Sequence, residues 1–84
     1  MSNENIIQFR RDKNVGRYLT ACIMKLHEMG SIELQATGSA IEKLVRTVAK
    51  LQEMLDITVD EVSFEEVDFE QKKKARLRVK INAA

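Results

Sequence analysis

The residues that most often perform catalysis or bind metals are scarce in this sequence. It contains one histidine, His27, and one cysteine, Cys22, so neither a Ser/His/Asp triad nor a His/Cys metal site can be assembled at the usual spacings. His27 lies beside the apolar stripe of a predicted helix and Cys22 lies within it. This favours a partly buried or surface histidine and a buried thiol. We therefore expect no catalytic residue, no metal and no other cofactor, and a protein that is not an enzyme.

A run of acidic residues near the C-terminal end invites an acid/base interpretation. Its members are Glu61, Glu65, Glu66 and Asp68. We expect Glu65 to face Arg78 across the last predicted hairpin. Glu66 is expected to face Arg76 in the same way, because opposite charges on paired strands stabilise each other modestly. Structural pairing therefore explains these carboxylates better than catalysis does.

Residues 35–44, QATGSAIEKL, have the pattern of a strand that stops at a glycine and restarts as a helix. A Walker loop would need a second glycine and a lysine at fixed spacing, and both are absent around Gly38. Ser39 and Glu42 have the spacing of a capping box, which predicts a helix that begins at about Ser39. Because a helix N-terminus offers free N–H groups, we expect the Gly38–Ser39 turn to make a weak contact with phosphate.

Basic residues form three clusters along the chain. The first comprises Arg10, Arg11, Lys13 and Arg17, the second Lys43, Arg46 and Lys50, and the third Lys72, Lys73 and Lys74 with Arg76 nearby. The net charge is only +1, whereas dedicated nucleic-acid-binding proteins usually carry more positive charge. Each cluster alone is typical of a solvated surface, so a binding role depends on whether the fold brings the clusters together.

Hydrophobic periodicity predicts elements in the order β-α-β-α-β-β. For the first helix, Asn14 is the candidate N-cap and Gly30 the candidate C-terminal glycine, and Tyr18 lies beside the apolar stripe. The two helical stripes are Val15, Leu19, Cys22, Ile23, Leu26 and Met29, and then Ile41, Leu44, Val45, Val48, Leu51 and Leu55.

Alternation of apolar and polar residues predicts the strands. They are Ile6–Phe9, Ser31–Thr37, a strand that starts at Ile57, and Ala75–Lys80 with Ile81. We expect a β-bulge at Asp60–Glu61, a second break in phase at Glu65–Glu66 and a hairpin tip at residues 70–74. A chain of 84 residues suits one domain, residues 1–84, with an ordered core at about 5–82. The economical arrangement is an α+β two-layer sandwich with both helices on one sheet face.

In such a sandwich both β→α junctions open at the same edge of the sheet. The first junction carries residues 10–13, and the second carries the Gly38–Ser39 turn followed by Lys43. We therefore expect the basic clusters to converge there. The aromatic residues are Phe9, Tyr18, Phe64 and Phe69. Three of them fit apolar positions of the predicted elements, which favours sequence-tolerant contacts with phosphates over base stacking.

Three stretches carry a resemblance to a known family: Arg11–Val15, Ala36–Val45 and the bulged strand Ile57–Phe64. Together they resemble the Alba family of small archaeal nucleic-acid-binding proteins, over most of the chain from about Ile6 to Ile81. The resemblance implies a fold similar to the C-terminal domain of translation initiation factor three. It also implies a homodimer that binds double-stranded DNA and RNA without marked sequence preference.

The resemblance also implies residue roles. Lys13 falls where the family has a DNA-contacting lysine in its first loop, and the preceding position, often a second lysine, is Asp12. The second loop of strongly basic members reads K-A-R-G-R-A-I, whereas residues 35–41 read QATGSAI, so three basic positions are neutral. Lys43 matches a basic position of the family, and the hairpin is shorter than in the best-known members but has a basic tip. These differences favour a weaker binder, or one tuned to RNA.

Two functions remain open at this stage. The first is a homodimer that binds DNA, RNA or both through phosphate contacts, with the site residues Arg10, Arg11, Lys13, Arg17, Gly38, Ser39, Lys43, Lys72, Lys73 and Lys74. The second is a protein-interaction module of the same fold that has lost most nucleic-acid affinity and forms a heterodimer with a more basic paralogue.

The dimer is predicted from the small size of the domain and from apolar residues that no predicted element needs for its own core. These are Met54, Leu55, Val62, Phe64 and Phe69. No apolar run reaches the length of a membrane span, and no signal-peptide pattern precedes the domain. We expect a cytoplasmic protein with neither a membrane nor a small molecule as partner, associated with the chromosome if DNA is its target.

Overall fold

Four strands form one mixed sheet, and two α-helices pack together on one of its faces. The computed structural model describes residues 5–84. Its elements are β1 (Ile6–Phe9), α1 (Val15–Met29), β2 (Ser31–Thr37), a 3₁₀ turn (Gly38–Ala40), α2 (Ile41–Met54), β3 (Ile57–Phe69) and β4 (Lys72–Ala83). The predicted order is therefore confirmed. The prediction that the first few residues lie outside the ordered core concerns residues 1–4, which are outside the described residues.

The strand order across the sheet is β1-β2-β4-β3, and only β1 and β2 run parallel. Phe9 lies opposite Ala36, so β1 and β2 end side by side. Thr37 lies opposite Arg76, so the β3–β4 hairpin continues past the point where β2 ends. We call this side of the sheet the junction edge, because both β→α connections open there and the hairpin projects beyond it.

The core lies between the sheet and the helices, as the alternation in the strands predicts. On the sheet side it consists of Phe9, Ile32, Leu34, Ala36, Leu77, Val79 and Ile81, and on the helix side of Tyr18, Cys22, Leu26, Ala40, Leu44 and Leu51. Burial raises the pKa of the Cys22 thiol to about 12, so the thiol stays protonated at neutral pH. The prediction of a buried cysteine is confirmed.

Local sequence signals account for the ends of α1 and for the bend in β3. The Asn14 side chain accepts a hydrogen bond from the Arg17 N–H at 2.9 Å, which satisfies a free donor of the first helical turn. Gly30 ends the helix in the left-handed conformation, with a φ of 80°. The β3–β4 register shifts by one residue between Val59 and Glu61, so the predicted bulge is confirmed.

The predicted capping box at Ser39 is wrong. Residues 38–40 form a 3₁₀ turn, α2 begins at Ile41, and neither segment has a side-chain cap. The tight turn satisfies the backbone itself, because the Ile41 N–H donates to the Gly38 carbonyl. The Glu42 carboxylate pairs instead with Arg46 one turn later, at 2.8 Å.

The hairpin also differs from its prediction. Its turn consists of Glu70 and Gln71 alone, both with positive φ, at 50° and 67°. These are the dihedral signs of a type I′ turn. Lys72, Lys73 and Lys74 belong to β4, and β3 and β4 pair without interruption from the bulge to the turn. The predicted second break in phase is therefore wrong.

The two-residue turn sets a register that changes the cross-strand ion pairs. Glu65 lies opposite Arg76 and pairs with it, rather than with Arg78. Glu66 lies opposite an alanine and pairs with Lys73, at 3.8 Å. Both predicted partners were wrong by two residues or more, because the prediction placed the turn within a longer tip.

Some apolar positions of the helices are not buried. Val45, assigned to the second stripe, is 53% exposed, and Met29 and Leu55 are also exposed. Tyr18, expected beside the first stripe, is instead part of the core. Its ring stacks on Phe9 with centroids 4.2 Å apart, which is a favourable aromatic arrangement.

Candidate nucleic-acid interface

The loop between β1 and α1, residues 10–14, is anchored by a buried tyrosine. The Tyr18 hydroxyl accepts a hydrogen bond from the Arg10 N–H at 2.6 Å and donates one to the Arg10 carbonyl at 3.1 Å. One side chain therefore satisfies both backbone groups of Arg10. The arginine side chain takes no part in these bonds and remains exposed.

Lys43 anchors the same loop from α2. Its ammonium group donates hydrogen bonds to the backbone carbonyls of Arg11, at 2.5 Å, and of Lys13. Bonds from a charged donor are stronger than neutral ones. The sequence predicted Lys43 as a phosphate contact, but its ammonium group instead hydrogen-bonds to the backbone of the loop that carries Arg11 and Lys13.

A cleft of about 690 Å³ opens at the junction edge, between this loop, the turn after β2 and the hairpin. Its lining residues include Phe9, Arg10, Arg11, Thr37, Ser39, Val67, Asp68, Phe69, Lys74 and Arg76. The first and third basic clusters are therefore brought together by the fold, although about sixty residues of sequence lie between Arg10 and Lys74.

The turn after β2 approaches the hairpin closely at Gly38. Its φ is 62°, a left-handed conformation that side chains resist. A Cβ atom built at this position would lie 3.3 Å from the Lys74 Cδ. The glycine therefore serves the backbone conformation and also leaves room for the lysine stem that enters the cleft.

The cations of the molecule divide into paired and unpaired groups. Five form ion pairs with carboxylates: Arg46, Lys73, Arg76, Arg78 and Lys80. Within residues 5–84, no ion pair involves Arg10, Arg11, Lys13, Arg17, Lys72 or Lys74. These six cations belong to the first loop, the start of α1 and the hairpin, so their charge is available to an external anion. Lys25, Lys43 and Lys50, on the two helices, also form no ion pair among the described residues.

Two solved structures share this architecture. ALBA1 from Trypanosoma brucei matches 95% of this chain and 69% of its own, with a TM-score of 0.84 and 15% sequence identity. Alba from Thermoplasma volcanium matches 93% of this chain and 99% of its own, with a TM-score of 0.76 and 20% identity. This chain has the Alba fold. Neither a protein-family model nor a curated protein matches the sequence.

The Alba fold was predicted from the resemblance of three stretches, Arg11–Val15, Ala36–Val45 and Ile57–Phe64, and that prediction is confirmed. Among the lining residues of the cleft that were absent from the predicted site, Phe69 and Arg76 are the aromatic and the cationic ones at the hairpin. Phe69 is 49% exposed, and the Lys74 ammonium lies 4.8 Å from the centroid of its ring. Arg76 lines the cleft while paired with Glu65. The position of Phe69 beside a run of lysines was the available signal, because cations are attracted to aromatic faces.

The sheet face away from the helices holds a network of polar side chains. Glu33, only 9% exposed, accepts a hydrogen bond from the Arg78 Nε at 3.2 Å and another from Gln35. Burial alone raises the pKa of Glu33, but these bonds and the charges of Arg78 and Lys80 outweigh it, so the pKa lies below its ordinary value. This face is internally neutralised and offers less charge to a ligand than the junction edge.

A second surface feature of this Alba fold is an apolar groove between α2 and the hairpin. Its volume is about 300 Å³, and the residues lining it include Val45, Val48, Val59, Val62 and Phe64, with no charged side chain among its lining. Val62 is 53% exposed and Phe64 is 69% exposed. Of the other residues expected at a dimer surface, Phe69 lines the cleft, and Leu55 lies against the end of α1.

Two further searches of the described part of the chain gave negative results. Among residues 5–84 there is no group of three His, Cys, Asp or Glu side chains placed to hold a metal ion. Within the same residues, neither helix combines the length and the apolar character that crossing a bilayer requires.

Proposed function

We propose that this protein binds nucleic acid through its phosphates, with a sequence-tolerant contact at the junction edge. The observation that supports this most directly is the convergence of Arg10, Arg11 and Lys74 on one cleft. None of these three has an ion-pair partner among the described residues. Double-stranded DNA, RNA or both are the proposed ligands, and on this proposal the protein acts in the cytoplasm or on the chromosome.

The anchored loop supports the proposal through preorganisation. Tyr18 and Lys43 hold the loop backbone, so little ordering remains when its cations meet a phosphate. Lys13, Arg17 and Lys72 extend the proposed contact on either side of the cleft. Lys73 contributes less, since Glu66 already compensates its charge.

The test is the salt dependence of binding to duplex DNA and duplex RNA. Each phosphate neutralised on duplex DNA should add about 0.9 to the slope of log affinity against log salt. The double variant Lys13→Ala/Lys72→Ala should weaken binding and lower that slope by about 0.9 for each contact removed, which is about 2 for each protomer that touches the duplex. The double variant Lys25→Ala/Lys50→Ala removes the same charge elsewhere and should leave the slope unchanged. Equal effects of the two variants would refute a localised contact.

The apolar groove supports a homodimer as the binding unit. Large exposed apolar patches with polar surroundings commonly mark protein–protein interfaces. We propose that α2 and the hairpin of one copy cover the same groove of another. Phe64→Glu places a charge at the most exposed of these positions, so it should give a monomer in sedimentation equilibrium at micromolar concentration. A wild-type monomer under those conditions would contradict the dimer.

A protein-interaction module remains the alternative function. It is favoured by the five ion-paired cations and by the neutral residues Gln35, Thr37 and Ser39. Native mass spectrometry of a mixture with a more basic paralogue distinguishes the two functions. Heterodimers and weak binding to nucleic acid would support the alternative, whereas homodimers alone would count against it.

A further inference from the structure

We propose that the cleft at the junction edge accepts an unpaired base of a single-stranded nucleic acid, stacked on the ring of Phe69. This inference rests on the proposed nucleic-acid binding and specifies its ligand. The cleft volume of about 690 Å³ lies within the range of about 300–1,000 Å³ that is usual for small-ligand sites. It is therefore large enough for one base together with its sugar and phosphate.

The composition of the cleft matches the two parts of a nucleotide. Phe69 and Val67 supply an apolar wall from β3, and Phe69 is nearly half exposed. Arg10 and Arg11 supply positive charge from the opposite wall, on a backbone that hydrogen bonds hold in place. Phosphate binding alone would use only the cations of the cleft, whereas a base offers a π-face that stacks on the exposed ring of Phe69.

Lys74 connects the two parts of the cleft. Its ammonium lies 4.8 Å from the Phe69 ring centroid, and its stem passes the Gly38 turn. The cation therefore lies over one face of the ring, so the proposed base stacks on the other face, and the ammonium is within reach of a phosphate attached to that nucleotide. Asp68 is the one carboxylate among the lining residues, and in the hairpin register it lies opposite Lys73.

Stacking on the Phe69 ring favours an unpaired base over a base within a duplex. In a duplex, both faces of each base are covered by its neighbours, so stacking on an outside ring first requires unstacking the base. A single strand, a loop or a frayed end presents its bases at much lower cost. Neighbouring phosphates of the same strand would then contact Lys13 and Lys72. These residues do not line the cleft, but they belong to the first loop and to the hairpin, the two segments that do.

The experiment measures Phe69→Leu and Phe69→Tyr against a single-stranded oligonucleotide and a duplex of equal length. The single strand carries one 2-aminopurine, a fluorescent base whose emission falls when it stacks. Phe69→Leu should weaken single-strand binding about 5- to 100-fold and abolish the quenching, while duplex affinity stays within about twofold. Phe69→Tyr should retain both affinity and quenching, since it keeps an aromatic ring. Equal thermal stability of the variants shows that the fold is intact.

The remaining outcomes separate this inference from the proposed function. If both ligands bind, and Phe69→Leu either weakens both affinities equally or changes neither of them, the stacking site is refuted while phosphate binding stands. If neither ligand binds at low salt, both proposals fail. If a free nucleoside monophosphate competes as well as the strand does, the ligand is a mononucleotide and the single-strand assignment is overturned.

Discussion

Replacing Lys43 with methionine tests whether this residue holds the first loop or contacts a phosphate. The ammonium group donates to two backbone carbonyls of the loop, those of Arg11 and Lys13. Methionine keeps most of the apolar stem but has no donor. The substitution therefore removes the two bonds while leaving the packing of α2 largely unchanged.

The expected loss of stability follows from these contacts. A hydrogen bond from a charged group contributes about 1.5–3 kcal/mol when well shielded. These bonds lie near the surface, where water replaces part of each, and the released side chain regains up to about 2 kcal/mol of rotamer entropy. We expect Lys43→Met to lower the free energy of unfolding by about 1–2 kcal/mol, and the melting temperature by about 4–16 °C.

Urea unfolding at fixed protein concentration measures this loss, with Lys50→Met as the matched control. Lys50 lies on the same helix, is exposed, and takes part in no ion pair among residues 5–84. Its substitution should change stability by less than about 0.5 kcal/mol. If Lys43→Met is as stable as this control and lowers the salt slope of binding by about 0.9, the residue is a phosphate contact and the anchoring role is refuted.

Three further results are expected. Glu33 has a lowered pKa in the folded protein, so its contribution to stability is complete above its ordinary pKa of 4.5 and is lost as the pH falls through the folded value. Glu33→Gln should lower the free energy of unfolding at pH 7 by about 1 kcal/mol. Urea titration across pH should also show that the stability of this variant declines less steeply in acid than that of the wild type. Gln71→Gly relieves a positive φ of 67° in the hairpin turn and should stabilise the fold by about 0.5–1 kcal/mol in thermal melts, and an unchanged or lower stability would contradict the turn geometry. Cys22, with a thiol pKa of about 12, should react with an aromatic disulfide reagent only after unfolding, and fast modification of the folded protein would show that it is accessible.

The fold was predictable because its signals are local. A cap at Asn14, a left-handed glycine at position 30 and alternation from Ser31 to Thr37 each depend on a few consecutive residues. Two of the predictions that were wrong concern turns, where a different backbone arrangement satisfies the same polar groups. At Ser39 a backbone hydrogen bond of the 3₁₀ turn takes the place of the predicted side-chain cap. At the hairpin tip, a turn of only two residues sets a register that differs from the predicted one.

The candidate site was predictable only in outline. Parallel pairing of β1 and β2 requires the two junctions to open together, so the convergence of basic loops followed from topology alone. The hydrogen-bond or ion-pair partner of each cation could not be predicted from the topology. Lys43 hydrogen-bonds to carbonyls thirty residues or more away in sequence, and Arg78 pairs with a glutamate on another strand.

The sequence by itself determined which faces of the helices and strands are apolar, and from these the layers of the fold, because burial of apolar surface depends on periodicity along one element. Only the tertiary structure decided which cations remain free, where Phe69 stands, and that a cleft exists between the loop and the hairpin. Ion pairs and cavities arise between side chains that the chain brings together from distant positions, and their geometry depends on register and turn length rather than on composition.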